Sequence, residues 1–91
     1  MSCTYINRYI NSLTGEEMFS ESMEFSHHSD DVSNPLYRPH GAVKAVTNCD
    51  EEGYIFSDGR PSVDYYDMHG DLICSKYVNK DLFASLKFVY N

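Results

Sequence analysis

The sequence predicts an α+β fold, in which a small antiparallel sheet, made of an N-terminal hairpin and a three-stranded meander, is packed by a C-terminal helix and one short middle helix. Turn signals at residues 57–61 and 69–71 separate short runs of aromatic and β-branched residues, a pattern typical of antiparallel strands. Near the C-terminus, apolar residues recur at helical spacing. The 91 residues, 42% of them hydrophobic, suffice for one modest core, so we expect a single domain over residues 1–91.

Residues 4–25 allow two interpretations, and we favour the N-terminal hairpin. The turn-forming residues 14–16 divide this stretch into two segments of similar length, and residues 7–12 contain weak helix formers. The alternative is a helix over residues 4–13. It rests on five apolar side chains at helical spacing: Tyr5, Ile6, Tyr9, Ile10 and Leu13.

Two segments precede the meander. Residues 26–39 contain the dipeptides Asn-Pro and Arg-Pro and the run His-His-Ser-Asp-Asp. The segment has no hydrophobic periodicity, which predicts an exposed connection. The pattern Ala-Val-x-Ala-Val within residues 40–48 fits the short middle helix. A strand is the alternative there, because its valines are β-branched.

The predicted meander and C-terminal helix complete the fold. The three predicted strands of the meander are residues 54–56, 63–68 and 72–78. Neither face of the second or the third predicted strand is cleanly polar. Asn79 can cap the helix that follows. The apolar stripe of this helix consists of Leu82, Phe83, Leu86, Val89 and Tyr90. We expect that stripe to cover one face of the sheet.

The charge balance favours a basic partner. Fourteen acidic residues against seven basic ones give a formal net charge of −7, and the acids dominate before Arg38. Binding to free DNA or RNA is disfavoured, because affinity for phosphate depends on Lys and Arg. An acidic surface instead suits a positively charged protein, and long-range attraction accelerates that encounter.

No residue spacing predicts catalysis, so we expect that the protein is not an enzyme and needs no cofactor or metal. The three cysteines are odd in number and lack a CxxC pair, which is typical of reduced thiols. His27 and His28 lie beside Asp30 and Asp31, but adjacent histidines seldom converge on one ion. We interpret this run as a solvated loop, with a small metal-dependent enzyme as the less favoured alternative.

The sequence also predicts a cytoplasmic location. No apolar run approaches the ~18 residues that cross a bilayer, and the first residues lack the layout of a secretory signal. We therefore expect no contact with a membrane.

Two stretches prompt a family resemblance: TYINRYINSLTGEEMFSESMEF at residues 4–25 and RPHGAVKAVTN at residues 38–48. Together with the size and acidity, they resemble the small phage-encoded anti-CRISPR proteins that inhibit type I-F surveillance complexes. The resemblance implies a viral inhibitor in the host bacterial cytoplasm. Such an inhibitor binds protein subunits of an RNA-guided CRISPR effector complex, in their basic nucleic-acid groove, and blocks target DNA.

The residues expected to bind this partner are acidic, with two exceptions. They are Glu16, Glu17, Glu21, Glu24, Asp30, Asp31, Arg38, Asp64 and Tyr65. Among these, Arg38 is the candidate for contact with guide RNA, and Tyr65 is the candidate for a surface aromatic anchor that becomes buried in the partner. The alternative function is another acidic inhibitor that binds a protein or imitates nucleic acid.

Overall fold

The computed structural model describes residues 2–32, 34, 36–56 and 62–77, which form one sheet of five strands. The strands are β1 (Cys3–Ile10), β2 (Glu17–Phe25), β3 (Lys44–Cys49), β4 (Val63–Tyr66) and β5 (Leu72–Lys76). Their order across the sheet is β2-β1-β3-β4-β5. The sheet is mixed, because β1 and β3 run parallel while the other neighbours run antiparallel.

The predicted N-terminal hairpin is confirmed. β1 and β2 pair antiparallel, with Tyr5 opposite Met23 and Asn7 opposite Glu21. Burial alternates along β1 with a period of two, which is the period of a strand and not of a helix. At the turn, the side-chain oxygen of Asn11 accepts backbone N–H bonds from Leu13 and Thr14, so this weak helix former serves a turn.

The predicted middle helix is wrong, because the residues that suggested it lead into β3. Ala45, Thr47 and Cys49 are buried and line one face of this strand. β3 pairs parallel with β1 and antiparallel with β4, so its backbone is bonded on both sides. The β-branched valines of the Ala-Val-x-Ala-Val pattern suit such a strand.

The predicted three-stranded meander is wrong in its first strand. Among residues 54–56, Ile55 makes an isolated bridge to Cys49 and no continuous strand forms. The other two strands do form a hairpin, since β4 pairs antiparallel with β5. The Asp67 carboxylate accepts hydrogen bonds from the backbone N–H groups of His69 and Asp71 and so closes the turn between β4 and β5.

The α+β prediction is therefore wrong: in the described ranges the protein is a mixed sheet without a helix packed on it. The predicted C-terminal helix, with its stripe from Leu82 to Tyr90, lies outside the described residues. None of the described segments is a helix long and apolar enough to cross a membrane.

A long loop covers part of the sheet. We call the sheet side that carries Tyr5, Ala45 and Tyr65 the inner face, and the opposite side the outer face. The described part of this loop, residues 26–32, 34 and 36–43, is called the covering loop. It passes over the inner face and packs Leu36 and Tyr37 against the buried residues there. The apolar side chains of this loop therefore cover part of the inner face.

Specific contacts fix the covering loop to the sheet. The Tyr5 hydroxyl donates to the Leu36 carbonyl (3.1 Å), and the Tyr37 ring meets Tyr65 edge-on at 5.6 Å between centroids. Lys76 Nζ donates to the Asn34 carbonyl (3.4 Å), and burial lowers the pKa of this lysine. The loop therefore belongs to the hydrophobic core, although its sequence is polar.

Two buried tyrosines of the core differ in how their hydroxyls are satisfied, which gives a matched test. Tyr65 is fully buried and its hydroxyl has no hydrogen-bond partner within the described structure, whereas the Tyr5 hydroxyl is bonded. We expect Tyr65→Phe to raise the free energy of unfolding by about 1 kcal/mol, because an unsatisfied buried group is removed. Tyr5→Phe should lower it by about the same amount. Urea unfolding of both variants measures the difference, and destabilisation by Tyr65→Phe would contradict this assignment.

Candidate protein-binding surface

The sheet ends at β2, whose side chains are exposed along most of their length. Among the described residues, β2 pairs with β1 alone. About half of the surface of each large apolar side chain is accessible: 52% for Met18, 51% for Phe19 and 49% for Met23. Large apolar groups exposed in a row, with carboxylates between them, are typical of a surface that meets another protein.

β1 holds the inner-face side chains of β2 in place. Glu21 Oε1 accepts a 2.6 Å hydrogen bond from the Tyr9 hydroxyl and a 3.5 Å bond from the Asn7 amide. The Phe19 ring stacks on Tyr9 at 4.3 Å between centroids, with 13° between the planes. Tyr9 and Asn7 are buried, so an exposed carboxylate and an exposed ring are anchored on rigid neighbours.

The outer face of β2 is also acidic but has shorter side chains. Ser20, Ser22 and Glu24 lie on this face, opposite Arg8, Ile6 and Thr4 of β1. At the far end of the strand, Arg8 Nε lies 3.3 Å from Glu17 Oε1, and both side chains are nearly half exposed. An ion pair this exposed contributes little to stability.

Three residues of β2 direct their backbone N–H and C=O groups away from β1. The Thr4 N–H donates to the Val43 carbonyl on the β3 side of β1. Backbone direction alternates along a strand, so the odd-numbered residues of β1 bond toward β2, through Phe19, Glu21 and Met23. The N–H and C=O groups of Ser20, Ser22 and Glu24 therefore point away from β1, to the edge of the described sheet.

A second acidic region lies where the hairpin turn meets the loop after β3. The Ser12 N–H and hydroxyl donate to the two carboxylate oxygens of Glu51, at 3.0 and 2.9 Å. Hydrogen bonds from its own backbone N–H and from Ser12 lower the pKa of Glu51. Glu16 lies in the same turn and is exposed. No local sequence pattern indicates this contact, because Ser12 and Glu51 lie 39 positions apart in the chain.

The remaining predicted residues lie elsewhere on the molecule. Asp30, Asp31 and Arg38 belong to the covering loop, where Arg38 Nη2 donates to His28 Nδ1 at 3.2 Å. A cleft of about 390 Å³ is present there, lined by His28, Asp30, Arg38, Pro39, His40, Gly41 and Ala42. Because Asp30 and Arg38 border it together, this cleft has no single sign of charge.

Asp64 and Tyr65 are separated by the alternation of β4. Asp64 lies on the outer face, where it accepts hydrogen bonds from Asn48 (3.2 Å) and Ser75 (2.7 Å). Tyr65 points into the core with 0% of its surface exposed, and burial raises its pKa above the usual range. It therefore has no surface to offer a partner, while Tyr54 and Tyr77 are 54% and 66% exposed.

The acidic residues predicted to act together thus divide into four places: the hairpin turn, β2, the covering loop and the outer face of β4. Glu17, Glu21 and Glu24 share β2, and this strand also presents the three apolar side chains that were not named as site residues. The signal in the sequence was the run from Glu17 to Phe25, in which acidic and large apolar residues occur on both faces. That pattern is typical of an edge strand with little burial.

The metal alternative has no support in the described residues. They contain no group of three His, Cys, Asp or Glu side chains arranged to hold an ion. Comparison of the chain with protein-family models, curated proteins and solved structures found no match. The anti-CRISPR resemblance therefore continues as a hypothesis from the sequence alone.

The backbone geometry of β2 is testable by amide hydrogen exchange. The Glu21 and Met23 amides donate toward β1 and should exchange at least about tenfold more slowly than the Ser20 and Ser22 amides, which point away from β1. Residue-resolved NMR exchange measures this alternation. Uniform protection along the strand would show that its outer edge is already bonded.

The contact between Ser12 and Glu51 gives a pH dependence of stability. The folded-state pKa of Glu51 is lowered, so its contribution is complete above the unfolded-state pKa and is lost as pH falls through the folded-state pKa. We expect Glu51→Gln to lower the thermal midpoint at neutral pH and to make little difference in acid. In a Ser12→Ala background this effect should shrink, and an unchanged effect would exclude Ser12 as its cause.

Proposed function

We propose that this protein is a non-catalytic inhibitor that binds a protein partner at a basic nucleic-acid groove. The observation that carries the proposal is the surface of β2, where exposed carboxylates and exposed apolar side chains alternate along one strand. The type I-F surveillance complex is the partner suggested by the sequence resemblance. Its target DNA is then excluded because the inhibitor occupies the groove.

The two kinds of side chain on β2 supply different parts of binding. Carboxylates attract Lys and Arg over long range, and the formal net charge of −7 strengthens this steering at low salt. Phe19, Met18 and Met23 give area that can be desolvated on contact, which electrostatic attraction alone does not provide. A basic surface with apolar gaps between its charges would match both.

The length of β2 fits a nucleic-acid groove. Nine residues of extended chain span about 30 Å at ~3.4 Å per residue. A strand of B-form DNA advances by ~3.4 Å per nucleotide along its axis, so β2 is long enough to extend over several nucleotides of a bound nucleic acid. Grooves that hold a guide–target duplex recognise its backbone charge, and an acidic strand can occupy them without base pairing.

Anchoring of Glu21 and Phe19 on Tyr9 supports tight binding. The bond from Tyr9 to Glu21 and the stacking of Phe19 on Tyr9 restrict these side chains before any partner arrives. Less conformational entropy is then lost on association. Both side chains stay exposed despite these contacts, so the anchoring does not hide them.

The test compares two double variants that remove equal charge. Glu21→Gln/Glu24→Gln removes two of the three negative charges of β2, while a glutamine oxygen still accepts the Tyr9 bond. Glu52→Gln/Asp71→Asn neutralises two exposed acids elsewhere. Binding to a purified type I-F complex is measured over a salt series. We expect the β2 variant to lose about tenfold or more in affinity and to show a weaker salt dependence, with the control close to the wild type.

Target DNA binding by the complex is followed in the same samples by gel shift. Equal affinities for the two double variants would overturn the role of β2. Absence of binding by the wild-type protein to this complex would redirect the search to other proteins with basic grooves, such as nucleases and transcription factors. If the affinity for each of these targets did not depend on salt concentration, the proposed function would be overturned.

A further inference from the structure

We infer that β2 binds an extended, positively charged segment of its partner as an added strand of the sheet. This inference rests on the proposed function and specifies how the same surface makes contact. The backbone N–H and C=O groups of Ser20, Ser22 and Glu24 point away from the sheet, as derived above from the Thr4 bond and the pairing register. An added strand would satisfy these groups, as in other complexes formed by strand addition.

The side chains beside these groups define what the added strand must carry. On the inner face, an incoming strand lies beside Phe19, Glu21 and Met23, so apolar, basic and apolar residues match in turn. On the outer face it lies beside Ser20, Ser22 and Glu24, which favours small polar residues and one further basic residue. The specificity is therefore for an alternating segment with a positive charge at its centre.

The charges of β2 argue against a second copy as the occupant. Strands in a sheet lie about 5 Å apart, so self-pairing would place two sets of Glu17, Glu21 and Glu24 in adjoining strands. Arg8, the basic residue next to them, is already paired with Glu17. Charges on an edge strand commonly prevent such self-association, and the same charges favour a cationic strand.

The extent of the added strand is set by the bulge near the hairpin turn. The register between β1 and β2 shifts between Tyr9 and Ile10, which disturbs the edge around Glu17 and Met18. From Phe19 to Phe25 the pairing is regular. The site therefore accommodates a segment about as long as this regular portion.

A designed peptide tests the inference directly. The sequence Lys-Val-Thr-Lys-Thr-Val-Lys places its central lysine beside Glu21, its valines beside Phe19 and Met23, and its threonines beside Ser20 and Ser22. We expect it to slow exchange of the Ser20 and Ser22 amides about tenfold or more, with little change at Glu21 and Met23. The control Glu-Val-Thr-Glu-Thr-Val-Glu has the same strand propensity and opposite charge, and it should have no effect.

Backbone methylation separates strand addition from simple charge attraction. In an antiparallel added strand, the threonine amides donate to β2 and the valine amides point away. N-methylation of both threonines should abolish binding, whereas N-methylation of both valines should leave it within a few-fold. Equal affinity of the two methylated peptides would overturn strand addition, since the charges are identical.

A variant of the protein carries the test to the full partner. Ser22→Pro keeps every charge of β2 and removes one outward N–H, a change that edge strands tolerate. This variant should no longer bind the cationic peptide. Its affinity for the partner complex should fall about tenfold or more. If the variant failed to bind the peptide but bound the complex with wild-type affinity, the inference would be overturned and the proposed function would stand. Should this variant unfold by circular dichroism, the methylated peptides decide with the wild-type protein.

Discussion

The parallel pairing of β1 with β3 is the constraint on which the rest of the structure depends. Parallel neighbours cannot be joined by a tight turn, so the chain between them must travel back along the sheet. Here the connection consists of β2, which runs back beside β1, and the covering loop, which crosses the inner face to the start of β3. One connection therefore supplies both the cover of the core and the free edge strand.

Local patterns in the sequence predicted the hairpins but not their arrangement. Turn residues such as Asn11 and Asp67 act on neighbours a few positions away. Both turns include predicted turn residues but begin two to three positions earlier than the predicted ranges 14–16 and 69–71. The segment now known as β3 was ambiguous, because its short run of Ala and Val fits a helix or a strand. Its conformation is decided by β1 and β4, which lie far from it in sequence and satisfy its backbone on both sides.

The candidate site was predicted in composition but not in placement. Glu17, Glu21 and Glu24 were expected to bind together, and β2 carries all three. Tyr65 was expected at the surface, yet the alternation of β4 directs it into the core beside Tyr37. Exposure of Phe19 and Met23 could not be read from their apolar character, because it follows from the position of β2 at the sheet edge.

Recognition through the main chain of an edge strand has an evolutionary consequence for the target of such an inhibitor. Every amino acid except proline carries the same backbone groups, so most single substitutions in the contacted segment leave them in place. A change of positive charge is then the substitution with the largest effect on binding, and the target requires that charge for its own hold on nucleic acid. A host protein under this pressure would lose part of its activity with each step toward escape.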